Sequence, residues 1–165
     1  REKMQTQLQS VTAILETAQK DLRVLLLHLR PVELEQKSLV DGIQILLKEL
    51  EDKSDLKVSF KQNVTKLPKK IEEHIFRILQ ELISNTLRHA QASCLDVYLY
   101  QSDFQLQLKV VDNGIGFQLG SLDDLSYGLR NIKERVEDMA GTVQLLTAPK
   151  QGLAVDIRIP LLDKE

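Results

Sequence analysis

A two-layer α+β sandwich, one mixed sheet with helices on one face, set behind a single long coiled-coil-type helix, is the fold the sequence predicts. Three observations predict it. The first thirty residues carry an unbroken seven-residue apolar repeat. After Pro31 the chain reads as helix, strand, helix, two strands, helix and a closing hairpin. Within the paired strands, Phe104, Leu106, Leu108 and Val110 alternate with Gln105, Gln107 and Lys109, the period of a sheet with one buried face. The 165 residues are 42% hydrophobic and 28% charged, enough apolar material for one core without disulfide or metal staples.

Residues 1–30 predict a helix whose seam is Met4, Leu8, Val11, Leu15, Ala18, Leu22, Leu25 and Leu29, in alternating steps of four and three. Ile14 and Leu26 widen that seam, as expected for a helix touching more than one partner. Pro31 stops it, because proline has no N–H to donate and crowds the preceding turn. No capping residue precedes Arg1, so the helix is expected to be entered partway along, as part of an oligomerisation stalk.

Ser38 to Leu50 follows as a helix, with Ser38 as its cap and Leu39, Ile43, Leu46, Leu47 and Leu50 on one side. Residues 56–62 form a short strand, and Lys66 to Lys70 turn into a helix running from about Pro68 to Ala90. Its apolar set is Ile71, Ile75, Ile78, Leu79, Leu82, Ile83 and Leu87. Strands at 94–100 and 104–111, a glycine-containing loop at 112–127, a helix at about 128–139 and strands at 142–148 and 153–159 complete the chain.

Composition excludes several functions. Lys and Arg total 22 against 24 Asp and Glu, a net charge of −2, so no basic field points to nucleic acid. No apolar run approaches the roughly 20 residues of a membrane span, which predicts a soluble piece. Cys94 has no partner for a disulfide, and one cysteine with three histidines is too few for a zinc cluster. In a strand-like run Cys94 reads as packing, suited to a reducing compartment.

Three segments carry residues suited to chemistry. On the 68–90 helix a polar stripe of His74, Arg77, Glu81, Asn85 and Arg88 lies opposite the apolar set. Glu81 and Asn85 are four apart and project from one face. Asparagine is a poor interior helix former, so a solvated surface explains it badly. A carboxylate and an amide oxygen at that spacing can hold a hard cation or its waters, as magnesium–phosphate sites require. The second segment, Asp112-Asn113-Gly114-Ile115-Gly116-Phe117, directly follows a strand. Its glycines let backbone pass close to a ligand, and Asp112 can accept a hydrogen bond from an amino group such as that of adenine. An Asn-Gly hairpin turn is the plainer reading, but the next ten residues supply no returning strand. Neither a P-loop nor a Gly-x-Gly-x-x-Gly fingerprint is present. The third segment, Ser126 to Ile132, sets Gly128 at a helix start, where free N–H groups can meet phosphates.

Together, HIFRILQELISNTLRHA (74–90), DNGIGF (112–117) and YGLRNIKERV (127–136) resemble the asparagine, first glycine and second glycine boxes of the ATP-binding fold shared by histidine kinases, DNA gyrase, heat-shock chaperones and mismatch-repair ATPases. The resemblance covers roughly 38–163. Upstream, LRVLLLHLRP (22–31) is similar to the end of the second dimerisation helix in sensor kinases paired with NarL/LuxR-type response regulators. Within that group the resemblance is to VraS/LiaS-like cell-envelope-stress sensors of Gram-positive bacteria, whose second glycine box also reads Ser-Tyr-Gly-Leu.

The resemblance implies a division into residues 1–32, the second helix of a dimerisation and histidine-phosphotransfer hairpin, and 33–165, a catalytic domain binding ATP and Mg²⁺. Asn85 would ligate the Mg²⁺ bridging the ATP phosphates. Glu81 would orient a metal-bound water or assist deprotonation of the accepting histidine. Arg88 and His89 occupy basic positions near the phosphates, and Asp112 would read the adenine amino group. Gly114 and Gly116 would let the chain pass beside the nucleotide, 118–126 would be a short lid, and Tyr127, Gly128 and Leu129 would close over the phosphates. Ser126 and Asn131 replace glycines common in the second glycine box, and Leu153 stands where a Gly-Thr pair is frequent.

The Glu-Leu-His-Asp-like segment that carries the phosphoacceptor is missing, and His28, on the second helix, lacks the expected neighbours. His74 reads as a surface or helix-packing histidine. The resemblance therefore implies the cytoplasmic part of a bacterial membrane-bound sensor, working on a histidine outside this chain for relay to a regulator aspartate. Self-association through residues 4–29 is expected, with no membrane contact by this piece. Two alternatives remain open: a serine kinase of the anti-sigma type or an ATP-gated dimerising ATPase on the same fold, and a non-catalytic coiled-coil interaction module.

Overall fold

The structure, a computed structural model, describes residues 2–28, 37–117 and 126–161. Its helices are α1 (Glu2–His28), α2 (Leu39–Lys53), α3 (Lys69–Asn85) and α4 (Ser126–Glu137). Its strands are β1 (Lys57–Gln62), β2 (Cys94–Gln101), β3 (Gln105–Asp112), β4 (Thr142–Thr147) and β5 (Leu153–Pro160). The sheet runs β1-β2-β3-β5-β4, with β1 parallel to β2 and every other pair antiparallel.

Period-two alternation decides which face is covered. Leu95, Val97 and Leu99 of β2, Leu106, Leu108 and Val110 of β3, and Val155, Ile157 and Ile159 of β5 all point into one core. Against them pack Ile43, Leu46, Leu47 and Leu50 of α2, Ile75, Ile78, Leu79, Leu82 and Ile83 of α3, and Ile132 and Val136 of α4. Each such side chain contributes about 1.5–3 kcal/mol by leaving water. The other face is polar: Ser59 donates to Asp96, Gln107 Nε2 lies 3.0 and 2.9 Å from the two Asp156 oxygens, and Arg158 pairs with Asp156 at 3.3 Å. The mixed two-layer sandwich is therefore as expected.

Ser38 caps α2, its hydroxyl accepting from Asp41 N at 3.2 Å and donating to Asp41 Oδ2 at 2.7 Å. Two local expectations are corrected. The helix expected to run to Ala90 is α-helical only to Asn85 and then widens into a π-helical turn, Thr86–Ala90. The Thr86 hydroxyl donates back to Leu82 O at 3.1 Å, a bond that loosens the regular ladder at that place. Phe104, expected in the buried set of the second strand, is 77% exposed at the bend before β3. Its carbonyl accepts from Leu161 N at 2.8 Å, so backbone pairing rather than burial fixes it.

Met4, Leu8, Val11, Leu15, Leu22 and Leu25 of the α1 seam are each more than half exposed. Leu29, Pro31 and residues 118–125 of the expected 118–126 lid lie outside the described residues, as do the side chains of Leu26 and His28.

Candidate functional site

The alternation that buries Leu106, Leu108 and Val110 also places Asp112 on the core side, at the very end of β3. Asp112 is 6% exposed, and its carboxylate is held rather than free. Oδ1 accepts from Gly114 N at 2.8 Å and from Leu153 N at 3.3 Å, while Oδ2 faces the Thr86 hydroxyl at 3.5 Å. Two backbone donors fix one oxygen and leave the other facing the Thr86 hydroxyl just past the end of α3. A buried acceptor so placed suits an amino group on a flat ring.

The loop after Asp112 is shaped by close approach. A Cβ on Gly114 would collide with the Ala90 carbonyl oxygen, while Ile115 N donates to that same oxygen at 2.7 Å. The π-helical turn thus delivers the Ala90 carbonyl to the loop, with Gln91 leaving in the left-handed region at φ 50°. Gly116 has φ 58°, and a side chain there would meet the Ala148 carbonyl. Asn113 pins the loop to β2: its Oδ1 accepts from Ser93 N and Cys94 N, both at 2.9 Å.

Helix α4 packs on the polar stripe of α3. A Cβ on Gly128 would collide with Glu81 Oε1 and lie 3.4 Å from Asn85 Oδ1. The glycine of the third segment and the carboxylate–amide pair of the first are therefore neighbours, although 43 residues separate Asn85 from Gly128 in the numbering. Asn85 Nδ2 is buried and has no hydrogen-bond partner among the described residues. Such an orphaned donor costs about 1–3 kcal/mol unless a ligand satisfies it. Beyond Glu81, a groove of about 280 Å³ continues between the helices, lined by Arg77, Asn131 and Arg135 among others. A larger depression of about 1040 Å³, by Asn63, Lys66 and Leu161, opens at the other end of the sheet and holds none of these residues.

The remaining expected site residues sit less centrally. Arg88 and His89 are exposed on the π-helical turn, and Arg88 Nε lies 4.0 Å from Asp21 Oδ1 of α1. Tyr127 is 66% exposed with the Arg130 guanidinium 5.3 Å from its ring centroid. Leu129 packs half-buried on the core. His74 is half-buried, and its Nδ1 has no partner among the described residues.

Thr86, Thr147 and Gly152 were not legible as site residues. Thr86 is named only by what its hydroxyl touches. Thr147 donates to Gly152 O at 2.7 Å and accepts from Phe117 N at 3.2 Å. Gly152, with φ 69°, lies where a Cβ would collide with the Asp112 carbonyl. The one available sign was a polar Thr147 at a strand position whose fellows, Val143 and Leu145, are apolar.

An amide-bearing helix packed against a glycine at a helix start, a close-packed glycine loop and a buried acid at a strand tip are the parts of a nucleotide-binding ATPase domain. Residues 70–163, more than half of the chain, match the model of the histidine kinase-, DNA gyrase B- and HSP90-like ATPase family, and the chain belongs to that family. It is 39% identical over 148 residues to the sensor histidine kinase LiaS of Bacillus subtilis and 40% identical over 148 residues to the sensor protein VraS of Staphylococcus aureus. Each match takes in 90% of this chain, which spans 41% of LiaS and 43% of VraS. In fold it is similar to the Acinetobacter baumannii histidine kinase AdeS, with a TM-score of 0.61 at 18% identity, covering 98% of this chain and 84% of that one. Among the described residues no helix is long and apolar enough to cross a membrane.

Proposed function

We propose that the chain is the catalytic part of a two-component sensor histidine kinase. Residues 33–165 bind Mg-ATP and pass its γ-phosphoryl group to a histidine not contained in this sequence. Residues 1–32 are the second helix of a dimerisation hairpin. The observation that carries this is the convergence of Glu81, Asn85 and Gly128, with the carboxylate of Asp112 held by Gly114 N and facing Thr86, the residue after Asn85.

Each group has a part suited to its place. Asp112 accepts the adenine amino group, its orientation fixed by Gly114 N and Leu153 N. Gly114 and Gly116 let the loop pack tightly on Ala90 and Ala148, which would hold the chain close beside the nucleotide. Asn85 presents an amide oxygen for Mg²⁺ and an unpartnered Nδ2 for a phosphate oxygen. Among the described residues no group of three or more acidic, histidine or cysteine side chains could hold a metal alone. Asn85 would hold a magnesium ion through its amide oxygen, as such ions are bound through few protein oxygens together with substrate phosphates. When bound, Mg²⁺ supplies charge neutralisation along the triphosphate. Glu81, one turn before Asn85, would orient a water beside the ion or take the proton of the accepting imidazole. Arg88, His89, Tyr127 and Leu129 flank the phosphate end. Catalysis of this kind is mostly positioning and charge stabilisation, with little covalent work for the protein.

The whole protein would hand the phosphoryl group to a response-regulator aspartate. The NarL/LuxR type of that regulator rests on the resemblance of residues 22–31 alone. Homodimerisation through 4–29 and a place on the cytoplasmic side of a bacterial membrane-bound sensor belong to the same reading. Incubation with ATP labelled in its γ-phosphate, plus a separately supplied dimerisation segment bearing the histidine, tests it. Acid-labile label on the segment's histidine and none on the chain alone is expected. Acid-stable label on a serine would replace the reading with the anti-sigma type, and no nucleotide binding at all would leave an interaction module.

A further inference from the structure

Asp112, Leu153 and Thr147 stand side by side across three strands. Asp112 pairs with Leu153 in the β3–β5 register, and Leu153 pairs with Thr147 in the β5–β4 register. Thr147 fills the core-side slot that Val143 and Leu145 fill earlier on β4, so a hydroxyl stands where the strand otherwise carries hydrocarbon. A half-buried threonine with no polar task would be replaceable by valine. This one has two tasks, for its oxygen accepts from Phe117 N at 3.2 Å and its proton goes to Gly152 O at 2.7 Å.

The Gly152 carbonyl and the Leu153 N–H belong to one planar peptide group and point in opposite directions across it. Thr147 binds the carbonyl end of that group, and Asp112 Oδ1 accepts from the N–H end at 3.3 Å. Gripping one end therefore aims the other, and a carbonyl accepting a hydrogen bond makes its own N–H a better donor. Gly152 cannot be exchanged for a residue with a side chain to stiffen this peptide, since its φ is 69° and a Cβ would strike the Asp112 carbonyl. The hydroxyl of Thr147 is thus the external hold on a peptide that must stay free of side chains.

We propose that Thr147 is a positioning residue for nucleotide recognition: through the Gly152–Leu153 peptide it sets the carboxylate of Asp112, and through Phe117 N it ties that carboxylate to the chain just before residues 118–125. The inference rests on the reading of Asp112 as the acceptor of the adenine amino group. It assigns to β4, which contributes nothing to the three sequence boxes, a part in choosing the base.

The test titrates the full chain, with Mg²⁺, against ATP and against purine riboside triphosphate, which lacks the 6-amino group. Thr147→Val keeps the shape and removes the hydroxyl. It is expected to weaken ATP about tenfold while changing the amino-free analogue less than about twofold, so the preference for ATP collapses. Thr147→Ser is expected to restore that preference. A general loosening of the hairpin would weaken both ligands equally, and that result would overturn the proposal. Asp112→Asn separates the two readings. If it loses the preference while Thr147→Val keeps it, the inference about Thr147 fails alone. If it keeps the preference, the adenine reading fails and the inference with it. Should the valine variant not fold, Thr147→Ala serves with the same expectations, and an unchanged preference there overturns the proposal.

Discussion

Gly128 and Glu81 lie against each other with no room for a side chain between them: a Cβ on the glycine would strike Glu81 Oε1 and come within 3.3 Å of Cδ. The obstacle is the end of a flexible side chain, not backbone. Gly128→Ala therefore moves Glu81 rather than breaking the fold, and a better helix former offsets part of the strain by up to about 1 kcal/mol. Thermal unfolding of the variant is expected within a few degrees of wild type, while phosphoryl transfer to a supplied histidine segment falls at least about tenfold. Equal loss of both stability and transfer would point to packing instead.

Gly114 gives the opposite balance. Here a Cβ would meet the Ala90 carbonyl and Cβ, which belong to the π-helical turn and cannot step aside cheaply. Gly114→Ala is expected to cost about 2–4 kcal/mol, read as a fall in the denaturation midpoint. A stability change below about 0.5 kcal/mol would mean that the loop and turn separate freely.

Asp112→Asn keeps an oxygen for Gly114 N and Leu153 N but turns the atom facing Thr86 from acceptor to donor. Stability is expected to change by no more than about 1 kcal/mol, and ATP affinity to fall about tenfold or more, measured by calorimetric titration. An asparagine variant binding ATP as well as wild type would remove the adenine-reading role.

The exposed α1 seam carries its own prediction. Leu8→Glu with Leu15→Glu puts charges where apolar contact between copies is expected, and should lower self-association at least about a hundredfold in sedimentation. Affinity for ATP should stay within about twofold, since both leucines are exposed on α1. Unchanged association would place the contact elsewhere.

Much of this was legible in the chain because two short periods dominate it. The alternation from Leu106 to Val110, continued by one step, puts Asp112 on the core side, and the apolar set of α3 leaves Glu81 and Asn85 on the opposite stripe. What the sequence could not give depends on contacts between distant segments. Thr86 ends the regular helix by bonding back to Leu82, and Thr147 looks like any strand threonine until β5 is laid beside it. Phe104 fits the strand alternation, yet one residue of turn leaves it in water. The nearness of Gly128 to Glu81 is a matter of helix packing and has no local signal at all.

The central claim is that Asn85 holds Mg²⁺ against the phosphates of ATP, and titrating ATP into wild type and Asn85→Ala, each with and without Mg²⁺, tests it most directly. Wild type should bind ATP more tightly with Mg²⁺ than without, and the variant should bind with the same lower affinity in both conditions. An alanine variant that keeps the full Mg²⁺-dependent gain would contradict the claim.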